Sequence, residues 1–162
     1  MVPREQLRMT AEELDSYLGA QRTLRIATVD EDNVPHVVPL WFVWHEGAVW
    51  LNSLRRSRRH RHLLSGRPVG LVVDDGEAYE QLRGVRITGR PRPVDDADPV
   101  RLAAYRLFAR KYFDVDELPN QRSYETIRVD PDDLASWDFR KIPTGADAKV
   151  GLGTSTGAPG DG

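Results

Sequence analysis

At 162 residues, 40% of them hydrophobic, the chain suits a single domain able to bury roughly 70% of its unfolded surface. The absence of cysteine excludes a disulfide framework, a thiolate metal site and a cysteine nucleophile. A net charge of −2 argues against a general nucleic-acid coat, and no segment is long and apolar enough to span a membrane as a helix. Thr10-Ala-Glu-Glu13 is a capping box, predicting a first helix that runs through Leu14, Tyr17 and Leu18 and stops near Gly19. A strand follows over 24–29, then a turn over 30–33 in which Asn33 can take the left-handed conformation. A second strand is expected over 36–44, and Glu46-Gly47 turns it into a third over 48–52. A short helix around 57–65 has Gly66 at its C′ position and Pro68 just beyond. Strands over 69–73 and 84–91 come next. Asp98-Pro99 then opens a longer helix, with Leu102, Tyr105, Phe108 and Tyr112 near one face. A sixth strand covers 124–129, with a last extended piece over 134–139. Residues 143–162 are rich in Gly, Ser, Thr and Ala and read as a disordered tail behind one domain over 1–142. Hairpin connections predominate, so the fold class is α+β: a mainly antiparallel sheet, plausibly a closed barrel, with helices outside.

Two stretches carry functional information. The run from Val37 to Trp44, Val-Val-Pro-Leu-Trp-Phe-Val-Trp, is apolar on both faces, whereas a half-exposed antiparallel strand should alternate. One face can fill a barrel. The other needs a cover, and a second subunit is the simplest one, the alternative being burial under the outer helices. Pro39 in mid-strand cannot donate to a ladder, so a local interruption of pairing is expected there. The second stretch, Ser57 to Leu64, reads Ser-Arg-Arg-His-Arg-His-Leu-Leu. Ser57 is a good N-cap, yet arginines crowd the first turn, the wrong charge for that end of a helix. An anion bound there by guanidinium groups would account for it, as would a solvated basic surface.

The segment over 25–44, the Ser57-Arg58-Arg59 stretch and the ending Ser136-Trp137-Asp138-Phe139 occur in an order that resembles the pyridoxamine 5'-phosphate oxidase-like split barrels. The resemblance is closest to the actinobacterial subgroup that uses FMN or the deazaflavin coenzyme F-420, and it covers about residues 10–140. It implies a six-stranded split barrel, homodimeric, with two cofactor sites at the subunit interface. Carried over, Ser57, Arg58 and Arg59 would hold the cofactor phosphate. Asn52 and Ser53 would approach the ribityl chain, and the backbone at Val38, Pro39 and Leu40 would meet the ring. Trp137 would flank the ring from the partner subunit, unless it serves core packing. Arg59 stands where the family usually has lysine, and His62 where asparagine is common.

Six arginines between 55 and 67 exceed the need of a single phosphate, which favours the deazaflavin with its anionic tail over FMN. The expected function is a cytoplasmic oxidoreductase transferring hydride between coenzyme F-420 and a small organic acceptor. An FMN-dependent enzyme of the same fold is one alternative, and a non-catalytic flavin- or haem-binding carrier or sensor is another. No catalytic residue and no metal site is identifiable, and neither nucleic acid nor membrane is expected as a partner.

Overall fold

The computed structural model describes residues 3–119 and 121–143. Most of the expected tail therefore lies outside the described residues. The order is α1 (Ala11–Ala20), β1 (Thr23–Val29), β2 (Pro35–Trp41), β3 (Val43–His45), β4 (Ala48–Leu54), α2 (Arg58–Leu64), β5 (Val69–Asp75), β6 (Arg83–Pro93), α3 (Pro99–Phe113) and β7 (Tyr124–Asp138). The strands form one curled antiparallel sheet in the order β2-β1-β5-β6-β7-β4-β3. Among the described residues no helix is long and apolar enough to cross a membrane.

Local chemistry explains most boundaries. The Thr10 side chain accepts from the Glu13 N–H, while the Glu13 carboxylate accepts from Thr10 N–H at 2.7 Å. Asn33 (φ 62°) closes the β1–β2 turn, and Glu46 (φ 49°) with Gly47 (φ 67°) closes the β3–β4 turn. Positive φ at both central residues gives that hairpin the twist of its strands. Asp98 caps α3 by accepting from the N–H groups of Val100 and Arg101, with Pro99 in the first turn.

Besides the joining of the pieces expected over 124–129 and 134–139 into the single strand β7, sequence expectation and structure differ in three places. The strand expected over 36–44 divides at Phe42, giving seven strands in place of six. Its two parts then lie at opposite ends of the sheet order. The break has a tertiary cause. The Tyr112 hydroxyl accepts from the Phe42 N–H (3.0 Å) and has the carbonyls of Phe42 (2.7 Å) and Arg22 (2.6 Å) in donating range. Lys111 Nζ also donates to the Phe42 carbonyl at 3.3 Å. Helix α3 thus takes over the backbone bonds a strand would have used. Secondly, pairing is not interrupted at Pro39: the β1–β2 ladder runs continuously from Thr23↔Trp41 to Val29↔Pro35. Strand β2 is a sheet edge, where a missing donor on the outer side costs nothing. Thirdly, Leu102 is 39% exposed. The face of α3 that packs on the sheet keeps Phe108 and Tyr112, as expected, and adds Val100 and Ala104 in place of Leu102.

Among the described residues the buried apolar side chains form two clusters. Leu24, Ile26, Val49, Leu51, Leu71, Ile87 and Ile127 belong to the larger one, inside the curl of the sheet. Ala48, Trp50 and Val43 pack on the outer side of β4 with Ala104 and Phe108 of α3.

Candidate functional site

Alternation along β4 decides what faces the site. Val49 and Leu51 point into the barrel core, and Trp50 points out beneath α3. Continuing that alternation, Asn52 and Leu54 face outward. Both line a cleft of about 760 Å³. Pro39, Leu40 and Trp41 of β2 form one wall and Arg59 of α2 closes one end. Phe108 and Phe113 of α3, with Leu118, Gln121 and Tyr124 beyond it and Thr23 of β1, complete the lining. The volume is that of a pocket for a drug-sized ligand.

One end of the cleft is polar. Thr126 Oγ1 donates to Asn52 Oδ1 at 3.4 Å and accepts from Arg101 Nε at 3.2 Å. Arg59 is the one charged side chain among the described lining residues. Its Nε is buried and has no hydrogen-bond partner, and burial lowers the guanidinium pKa from its ordinary value. A half-buried guanidinium whose buried Nε lacks a partner carries a desolvation cost that a bound anion would offset. The other end is aromatic. Trp41 stacks on Tyr112 with centroids 4.5 Å apart and planes 11° apart, and Phe113 meets Trp41 edge-on at 5.9 Å. Trp41 nevertheless remains 46% exposed on its cleft side.

The residues expected at a cofactor site do not all come together. Pro39, Leu40, Asn52 and Arg59 come together in the cleft. Val38 packs against the barrel core, Ser53 is fully buried on the inner face of β4, and Ser57 caps α2 by accepting from the His60 N–H at 3.1 Å. Arg58 lies on another face of α2 from Arg59. With Arg61, His62, Ser65 and Arg67 it lines a second depression of about 290 Å³, whose opposite wall is the acidic turn Asp30 to Asp32. There His36 bonds Asp30 (3.0 Å) and keeps its carboxyl below the ordinary pKa. Burial and the neighbouring cations lower that of His62. Trp137 is not part of this chain's cleft. It crosses β6 at Gly84, where an added Cβ would clash with the indole.

Trp41, Phe108, Phe113, Leu118, Gln121 and Tyr124 were not singled out from the sequence as site residues. The signal available for Trp41 was the two-sided apolarity of its strand. The α3 residues carried none, because helical periodicity assigns a face and not a neighbour.

The family model of pyridoxamine 5'-phosphate oxidase matches residues 10–138, from the α1 cap to the end of β7. The chain belongs to this family. Its curled antiparallel sheet with the helices described above is the family's split barrel, and the family includes oxidoreductases. Solved structures agree on the fold. A conserved hypothetical protein from Mycobacterium tuberculosis superposes with TM-score 0.74 at 23% identity, over 90% of this chain and 96% of that one. A haem storage protein from Vibrio cholerae gives 0.65 at 17% identity, over 76% and 92%. An F-420 reductase gives 0.56 at 21%, over 74% and 94%. No functionally curated protein matches the chain.

Proposed function

We propose that this chain is a homodimeric oxidoreductase that binds the deazaflavin coenzyme F-420 in the cleft and passes hydride between it and a small organic acceptor. The observation that carries the reading is Arg59, a half-buried guanidinium with an unsatisfied Nε at the polar end of an otherwise uncharged cleft. It suits the phosphate of a ribityl phosphate, with Asn52 beside the chain and Pro39 and Leu40 along the ring. The bound cofactor supplies the hydride chemistry, and the protein supplies orientation and an apolar wall that excludes water. Val37 (64% exposed) and Trp41 on the free edge strand offer an apolar surface for a second copy, which would bring the partner's Trp137 into consideration at the site.

Arg56, Arg58 and Arg61 are exposed and form no ion pair among the described residues. Arg58 and Arg61 line the depression on the other face of α2, so an anionic tail would reach them only by passing over the helix from the cleft, and that reach is the ground for preferring the deazaflavin to FMN with its single phosphate. A carrier of haem is less well supported by the lining, which among the described residues of one protomer offers the iron Tyr124 and no His, Cys or Met. Titrating the purified protein with coenzyme F-420 and with FMN, then mixing the reduced complex anaerobically with candidate acceptors, tests the reading. Tighter binding of the deazaflavin and its reoxidation by an acceptor support it. Binding of neither cofactor overturns it, and binding without any reoxidation leaves the carrier as the correct reading.

A further inference from the structure

The turn that presents Arg59 is held from outside by one carboxylate. Strand β7 pairs with β4 so that Glu125 lies opposite Ser53, just before the chain leaves β4 for α2. One Glu125 oxygen accepts from Arg55 Nη1 at 2.9 Å, and the other lies 3.1 Å from His60 Nε2. The two partners of Glu125 flank Arg59 in sequence, Arg55 before the α2 cap and His60 in its first turn. The Arg55 N–H also donates to the Ser123 carbonyl at 2.9 Å, so the entry to α2 is tied twice to the start of β7. His60 is 4% exposed, so its contact with Glu125 is shielded from solvent. Together with the Ser57 cap, these bonds fix the backbone from Leu54 to His60.

We infer that Glu125 is the positioning residue for the anion-binding Arg59: by bridging Arg55 and His60 it holds the α2 turn so that the Arg59 guanidinium faces the cleft. The inference rests on the proposed phosphate site. Glu125 also pairs with the Arg55 guanidinium, leaving Arg59 as the charge that faces the cleft. Two physical effects of removing the carboxylate have opposite signs. Electrostatics alone would make Glu125→Gln bind an anion more tightly, because a negative charge near the site is gone. Loss of positioning would weaken binding, because Arg59 is no longer pre-organised.

The experiment compares cofactors with and without the phosphate: FMN against riboflavin, and coenzyme F-420 against its phosphate-free deazaflavin core. Each is titrated by fluorescence into the parent, Arg59→Ala, Glu125→Gln and the double variant, with thermal melts to establish folding. Arg59→Ala is expected to lose about ten- to a hundredfold for the phosphate-bearing member only. Glu125→Gln is expected to lose several-fold in the same selective way, and almost nothing further once Arg59 is gone. If Glu125→Gln does not fold, Glu125→Asp, which keeps the charge and shortens its reach to Arg55 and His60, is expected to show a smaller phosphate-selective loss. Tighter phosphate binding by Glu125→Gln, equal losses for both members of a pair, or a full effect in the Arg59→Ala background would overturn the inference alone. A phosphate preference unchanged by Arg59→Ala would overturn the phosphate site, and the inference with it.

Discussion

At the residue scale, burial creates both the site and a liability beside it. Lys111 sits over the Phe42 ring at 4.8 Å, with Arg22 nearby, and burial pushes its pKa down to about 8. Its unfolded value lies near 10.4. Between those values the unfolded chain holds a proton that the native protein has released, so this group makes stability rise with pH across that window. Replacing it by methionine should therefore raise the melting temperature at pH 7.5, and the advantage should shrink by pH 9.5. Melts of both proteins at the two pH values check this, and a constant or growing gap would show that Lys111 is not strained by burial. Trp41 makes a second test. Its indole is stacked behind and open in front, so a flavin ring in the cleft should quench it. Trp41→Phe should remove most of the ligand-induced change in tryptophan emission while Trp44, Trp50 and Trp137 still report the fold.

At the element scale, the break between β2 and β3 carries the architecture, because it lets the chain leave one sheet edge and continue at the other. The Tyr112 hydroxyl serves the Phe42 backbone at that break. Tyr112→Phe leaves buried backbone groups short of a partner, and should cost about 1–3 kcal/mol in denaturant unfolding. A cost near zero would mean that water replaces the hydroxyl. The same break shows what a sequence can disclose. The α1 capping box, Asn33, Glu46-Gly47, Gly66 and Asp98-Pro99 are local signals, and the structure realises each within a few residues. The break at Phe42 is made by side chains about seventy positions away, and nothing local marks it. The arginine run is similar. Its charge was legible, but the separation of Arg59 from Arg58 and Arg61 depends on how α2 is turned against β4, which is set by Glu125 across the β4–β7 register.

At the scale of the whole molecule, the curled sheet leaves an apolar edge and an open cleft on neighbouring surfaces. Val37, Trp41, Phe113 and Tyr124 are all exposed large side chains, more than a small monomer usually leaves in one region. Light scattering at micromolar concentration should give a dimer. Val37→Glu, which places a charge on the free edge, should yield a folded monomer with weakened cofactor binding. A parent that is monomeric would remove both the interface and the shared-site reading. Because β7 completes the sheet at Asp138, deleting 144–162 should leave the melting temperature nearly unchanged, and a clear drop would assign those residues a packing role.

The central claim is that the cleft receives a phosphate-bearing flavin-type cofactor through Arg59. The measurement that meets it most directly is a fluorescence titration of coenzyme F-420 into the parent, Arg59→Ala and Arg58→Ala at low and moderate salt. The account predicts a loss of about ten- to a hundredfold for Arg59→Ala at both salt concentrations, since a half-buried contact is weakly screened. For Arg58→Ala it predicts a smaller loss that fades as salt rises. Equal binding by Arg59→Ala and the parent, or a greater loss from Arg58 than from Arg59, would contradict it.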